Sequence, residues 1–295
     1  MNKKAMRGNL LLLLTAMIWG SAFVAQRVGM DSVGPFTFNG VRSLLSAAVL
    51  LPVIWLREKK RPREESQTEK RTLLLGGLLC GVCLCAGSTL QQFGLVYTTA
   101  GKAGFITALY VVLVPVASLL LGKKSRATTW IGVALAAAGL YLLCVSGSLS
   151  MNRGDLLTML CAVCFCAHIL VIDRVSPHVD GVKLSCVQFF VSGTIALICG
   201  VCTEKIEWQA LVDCAVPILY AGVLSGGVGY TLQIVAQKDT DPTLASMIMC
   251  LESVFSVVFG ALLLGERMSG REIAGCALMF AAIVLAQLPG AKKEE

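Results

Sequence analysis

Gly154-Asp155-Leu156-Leu157 repeats Gly8-Asn9-Leu10-Leu11, and Asp173-Arg174-Val175 echoes Gln26-Arg27-Val28, at offsets of 146 and 147. The correspondence runs outward from there. Val41-Arg42 aligns with Val187-Gln188, and Thr89-Leu90-Gln91 with Thr231-Leu232-Gln233. Leu119-Leu120-Leu121-Gly122-Lys123 matches Leu262-Leu263-Leu264-Gly265-Glu266, and Trp130-Ile131-Gly132 falls opposite Ile273-Ala274-Gly275. The offset stays between 142 and 147, so the chain reads as two copies of one unit, 1–146 and 147–295.

Each unit belongs in a bilayer. Of the 295 residues 56% are hydrophobic and only 15% charged, with a mean hydropathy of +0.76. Soluble domains carry about a quarter charged residues, so an ordinary globular enzyme is excluded. A helix needs about 20 apolar residues to cross hydrocarbon. Hydropathy and breaker residues predict ten spans: Asn9–Arg27, Pro35–Leu56, Thr72–Leu95, Gly101–Leu121, Thr128–Val145, Gly154–Ile172, Lys183–Cys202, Val212–Ala236, Thr243–Leu264 and Gly270–Leu288. Pro35 and Pro242 stand at helix starts, where a missing N–H costs nothing. Five spans per copy is an odd number, so the second copy is inverted relative to the first. The expected fold is an all-α polytopic membrane protein of ten transmembrane helices in two inverted five-helix repeats. Inverted repeats mark alternating-access carriers that bind substrate near the midplane.

The net charge of +7 follows the loops rather than any aromatic-interleaved basic patch, which argues against nucleic acid as a partner. With the N-terminus inside, about 18 Lys and Arg fall in inner segments and about 6 in outer ones. That bias places both termini in the cytoplasm of a cell (inner or plasma) membrane protein. The charged Arg57–Arg71 stretch reads as a solvated positioning loop. The leucine run after Lys3-Lys4 imitates a signal peptide, but its internal twin near Gly154 indicates a retained first helix. Eleven of the thirteen cysteines fall within apolar spans, where Cys acts as a small hydrophobe. Only Cys202 and Cys214 lie near one loop, where a disulfide between them is the disfavoured alternative to free thiols.

Trp19-Gly20-Ser21-Ala22-Phe23, Arg42 and Leu264-Gly265-Glu266-Arg267, with Gly270-Arg271-Glu272-Ile273-Ala274-Gly275 following, resemble the drug/metabolite transporter superfamily. More narrowly, the chain resembles its ten-helix EamA-type carriers over nearly its whole length. The resemblance implies two repeats around a central cavity and export or exchange of small metabolites such as amino acids. Such proteins often carry proline after the Leu251-Glu252 pair. Ser253 stands there instead, so the resemblance gives no ground for a kink at that point.

Ionisable side chains within hydrocarbon are costly and therefore candidate functional groups. Glu252 lies nine residues into its span, roughly 14 Å along the axis and near the midplane. It suits proton or cation coupling, or a substrate amine; the competing reading is a structural acid bonded to a neighbouring helix. Arg42 snorkels outward or meets backbone carbonyls, and its neutral repeat partner Gln188 favours a structural role. His168 titrates in the range useful for proton exchange. Cys161, Cys164 and His168 share a helix face, but the other cysteine cluster, Cys80, Cys83 and Cys85, is not at the repeat-equivalent position, so no metal site is expected. Trp19 and Phe23 share a helix face, and Gln91, Tyr110, Tyr230 and Gln233 need partners or water within a membrane; with His168 and Glu252 these are the expected substrate-cavity lining. Glu266 with Arg267 reads as a local ion pair, and Lys102 as an interfacial anchor. The Ser225-Gly226-Gly227-Val228-Gly229 run weakens its helix and permits close packing or bending. Gly132 and Ala136 form a small-residue face for internal packing or a dimer contact, leaving monomer and homodimer both open.

No G-x-x-x-x-G-K-[ST] run is present, so direct ATP drive is not expected, nor is any cofactor. A secondary carrier of a small-molecule substrate, driven by protons or exchange, is the leading expectation. An intramembrane enzyme on lipids or isoprenoids needs a second mid-membrane acid or a nucleophile–base set, which is lacking. A structural or sensory membrane protein would leave the inverted duplication unmotivated.

Overall fold

The computed structural model describes residues 3–30, 32–60, 65–97, 100–123, 126–144, 152–264 and 269–287. The junction between the repeats, the Glu266–Arg267 pair and the Lys102 side chain lie outside the described residues. The first repeat contains α1 (Lys3–Met30), α2 (Pro35–Lys60), α3 (Gln67–Tyr97), α4 (Ala100–Ala108), α5 (Tyr110–Leu120) and α6 (Ala127–Cys144). The second contains α7 (Arg153–Val175), α8 (Gly181–Thr203), α9 (Trp208–Asp213), α10 (Ala215–Leu219), a π-helical stretch (Tyr220–Tyr230), α11 (Thr231–Gln237), α12 (Pro242–Met249), α13 (Glu252–Leu264) and α14 (Gly270–Gln287). Six helical segments are long and apolar enough to cross a membrane, and shorter apolar helices supply the others. They group into the ten expected spans.

Helix starts follow local chemistry. At α7 the Asn152 side chain accepts from Asp155 N–H while Asn152 N–H donates to the Asp155 carboxylate, a reciprocal capping box. Asp155 thus explains why the Gly-Asp-Leu-Leu repeat motif opens a helix. At α12 the Asp241 carboxylate accepts from the N–H groups of Thr243 and Leu244, with Pro242 at the first helical position. α2 begins at Pro35, and its first free N–H groups, on Phe36 and Thr37, donate to the Glu204 carboxylate from the end of α8.

The packing obeys a two-fold relation between the repeats. α2 lies on its equivalent α8, and α6 on its equivalent α14. α3 packs on α7, and the π-helical stretch with α11 packs on α1; α4 and α5 contact α7 just as α12 and α13 contact α1. Polarity is reversed relative to a soluble bundle. On α3, Leu74, Leu75, Leu78 and Leu79 are exposed, whereas Ser88, Thr89, Gln91 and Gln92 are buried. That pattern fits a lipid surround with polar groups satisfied inside.

Three spans depart from the continuous helices expected. The fourth breaks at Leu109 and the ninth at Cys250–Leu251, both through i to i+3 hydrogen bonds. These breaks stand at repeat-equivalent positions, since Tyr110 and Glu252, which open the second halves, are 142 residues apart. The ninth span therefore bends without a proline at position 253. The eighth begins at Ala215 rather than Val212, because Cys214 separates it from α9, whose Trp208 is 78% exposed. Pro217 then fits the first turn of α10, where its absent N–H has no partner to lose.

The small residues act within the monomer. A Cβ on Gly132 would lie 2.9 Å from Met247 Cε and 3.0 Å from the Ala282 carbonyl, and Ala136 is buried, so this face meets α12 and α14 internally. Gly222 approaches the Arg42 carbonyl, and Gly229 approaches the Trp19 indole. The glycine run thus allows both close packing and the π-helical distortion. The Arg57–Arg71 stretch is more than a solvated loop: Glu58 and Glu65 both hold Lys183, and Arg57 pairs with Asp180 at 3.1 Å. Lys123 meets Asp173 on the same side of the bundle. Cys202 and Cys214 are both free thiols.

The closest approach of a glycine to the backbone of another helix, among the described residues, yields a stability prediction. A Cβ on Gly20 would sit 2.6 Å from Phe255 Cβ and 2.7 Å from the Glu252 carbonyl, whereas one on Gly104 meets nothing within 4 Å. Gly20→Ala is expected to cost about 1–3 kcal/mol, read as a lowered unfolding temperature in detergent, with Gly104→Ala near neutral. Equal effects of the two would contradict the α1–α13 contact.

Candidate functional site

The residues flanking the two helix breaks face one central cavity between the repeats. Trp19, Phe23 and Gln26 reach it from α1, Arg42 from α2, Gln91 from α3, and Thr107 and Tyr110 from either side of the first break. The second repeat contributes Phe165, His168 and Ile169 from α7, Ser225 and Tyr230 from the π-helical stretch, Gln233 from α11, and Met249 and Glu252 from either side of the second break. All nine candidates singled out from the sequence therefore line the same space.

The break geometry creates the central polar contact. Tyr110 OH donates to Glu252 Oε1 at 3.1 Å, joining repeat-equivalent positions across the two halves. Both residues open the second half of their span, directly after the i to i+3 hydrogen bonds of the break. Trp19 packs on Tyr230 with ring centroids 4.5 Å apart, and Tyr230 meets His168 and Phe189 edge-on at 6.0 and 5.5 Å. The Trp19 indole N–H donates to the carbonyl of Ser225, within the π-helical stretch, at 3.3 Å. An aromatic wall is thereby fixed on one side of the cavity.

The remaining polar groups have specific partners. His168 Nε2 donates to Gln188 Oε1 at 2.9 Å, both fully buried. Gln91 Nε2 donates to Thr107 Oγ1 at 3.3 Å, and Gln233 Nε2 to Gln237 Oε1 at 2.9 Å. Gln237 in turn donates to the Ile169 carbonyl at 3.1 Å. Gln92 is buried away from the cavity and donates to Gln26 Oε1 at 3.0 Å. Arg42 does not snorkel to an interface. It is 9% exposed, and its Nε donates to Asn39 Oδ1 at 2.8 Å. Cys161 faces Thr107 rather than His168, and among the described residues no three His, Cys, Asp or Glu side chains converge as a metal would require.

Gln26, Thr107, Phe165, Ile169, Ser225 and Met249 were not singled out as lining residues by sequence reasoning. Gln26 carried a signal, because it sits in the repeated motif opposite Asp173. Ser225 stood in the glycine run. Thr107, Phe165, Ile169 and Met249 are single small or apolar residues on apolar helices, where no pattern distinguishes a cavity wall from core.

Ten spans in two inverted repeats around a closed-in polar cavity define a multi-pass membrane carrier. The chain belongs to the EamA-like transporter family, whose model matches residues 6–145 and again 152–288. It is 32% identical over 292 residues to an uncharacterized transporter of Archaeoglobus fulgidus, covering 97% of this chain and 87% of that protein. It is 25% identical over 278 residues to the uncharacterized inner membrane transporter YedA of Escherichia coli K12, covering 92% and 88%. A solved crystal structure superposes with a TM-score of 0.79 at 16% identity, covering 95% of this chain and 96% of that one, which shows a shared fold.

The His168–Gln188 pair provides a test of the site's wiring. Gln188→Leu leaves the buried imidazole without its acceptor and is expected to cost about 1–3 kcal/mol. The His168→Leu, Gln188→Leu double variant should cost clearly less than the two single variants summed, measured by unfolding in detergent. Strict additivity would mean that the two side chains do not act together.

Proposed function

We propose that the protein is a secondary carrier that moves small metabolites, amino acids or related compounds, by alternating access in export or exchange. The observation that carries this reading is the cavity built equally from both repeats at their two helix breaks. In a two-fold arrangement each repeat takes the other's conformation in turn, which opens the same cavity to opposite sides. Binding differences between the two states then set direction, without chemical turnover. Trp19, Phe23, Gln91, Tyr110, His168, Tyr230, Gln233 and Glu252 form the substrate-binding lining in this reading.

Glu252 is the coupling carboxylate. It is buried, lines the cavity, and its carboxylate accepts from Tyr110, with no salt bridge recorded to it among the described residues. Proton gain and substrate gain at one carboxylate are then mutually exclusive, which ties flux to the proton gradient. Reconstituted in liposomes, the protein should catalyse counterflow of at least one small metabolite and respond to an imposed pH gradient. Glu252→Gln should abolish the gradient response and lower flux by at least about tenfold. Full pH-dependent transport by Glu252→Gln would eliminate the coupling role.

Both termini lie in the cytoplasm, which puts the end of α8 outside. Cys202, at that end, is the exposed thiol among the described cysteines. A membrane-impermeant maleimide is therefore expected to label intact cells at Cys202, with a Cys202→Ser variant as blank. Labelling only after permeabilisation would reverse the orientation.

A further inference from the structure

Arg42 is the unusual group in the cavity. It is a guanidinium buried at membrane depth, and among the described residues no acid forms a salt bridge with it. Such a charge is costly unless something neutralises it. The nearby acids have other partners. Glu252 accepts from Tyr110, and Glu204 is occupied by the N–H groups of Phe36 and Thr37 and by the Thr37 hydroxyl.

The side chain is nonetheless held in place. Asn39, itself 1% exposed, takes the Nε–H, and the buried Phe38 ring lies 5.7 Å from the guanidinium carbon. Holding Nε in this way leaves the terminal nitrogens, a planar pair of donors, for another group. The repeat supplies an internal comparison. The equivalent Gln188 is neutral and its Oε1 accepts from His168, so the second half buries no charge at this position and the first half does.

We propose that Arg42 is the anion subsite of the cavity, taking the carboxylate of a small organic acid or zwitterion whose apolar part rests on the Trp19–Tyr230 rings. Asn39 and Phe38 are its positioning residues. A carboxylate matches the two remaining donors in one plane, with the charge-assisted strength that an embedded guanidinium needs. The assignment deepens the carrier reading and rests on it for the cavity's role as a substrate path.

The test uses the full chain in detergent and the matched probes 3-phenylpropanoate and 3-phenylpropanamide, which share a skeleton and differ in charge. Binding is read by equilibrium dialysis and by the rise in unfolding temperature. The wild type should prefer the acid by roughly tenfold or more. Arg42→Gln should lose that preference, binding acid and amide alike, and Asn39→Leu should reduce it several-fold. On the wild type alone, the acid but not the amide should slow phenylglyoxal modification of Arg42, read by peptide mass spectrometry. This second readout stands even where Arg42→Gln fails to fold. No discrimination between acid and amide by the wild type, or discrimination retained in Arg42→Gln, overturns the subsite. Sulfate protecting Arg42 as well as the acid overturns the carboxylate assignment. Neither readout involves flux, so an absence of transport in liposomes is a separate result that counts against the carrier reading instead.

Discussion

Hydrocarbon offers no hydrogen-bond partners, so a helix that stops in mid-membrane leaves backbone groups that only protein or cavity water can satisfy. Two spans of this protein are interrupted there, at Leu109 and at Cys250–Leu251, where i to i+3 hydrogen bonds keep backbone groups paired, and the rest of the arrangement is built around them. The residues flanking the breaks, Thr107, Tyr110, Met249 and Glu252, line the cavity. The breaks place Tyr110 and Glu252 at the starts of new half-helices and bring them together across the two-fold relation. A carboxyl at membrane depth thereby has a donor from the opposite repeat.

The aromatic and charged parts of the cavity are then arranged around that pair. The π-helical winding of Tyr220–Tyr230 turns the Ser225 carbonyl toward the Trp19 indole and sets Tyr230 against its ring. Tyr230 lines the cavity together with Arg42 and Glu252, its positive and its acidic pole. Each repeat supplies one pole. At the equivalent positions the other repeat carries a neutral residue, Gln188 opposite Arg42 and Tyr110 opposite Glu252. Duplication followed by divergence at two positions is enough to turn a symmetric cavity into one with polarity.

Much of this was legible in the sequence because the membrane makes polar residues conspicuous. Glu252, Arg42, His168, Gln91, Gln233 and the aromatic residues stood out against apolar spans, and every one lines the cavity. The ten spans and their inversion followed from hydropathy and an offset of 142–147. The helix breaks were not legible. Leu109, Cys250 and Leu251 are ordinary apolar residues, and the break at the ninth span occurs without the proline that would announce one. The π-helical stretch was signalled by its glycines only as a weakness, since glycine permits bending and close packing alike. The clasp of Glu58, Glu65 and Lys183 was hidden for a different reason, because loop charges look solvated until their partners are known.

The central claim is that one cavity, shared by both repeats, opens in turn to the two sides of the membrane. It is tested most directly by a single thiol within that cavity. Thr107→Cys, in a chain whose native cysteines have been replaced, puts a reporter beside the first break. In oriented membranes an impermeant thiol reagent is predicted to reach this position from either side, with the balance shifted by substrate or by a pH gradient. Reactivity from one side alone under every condition would contradict alternating access.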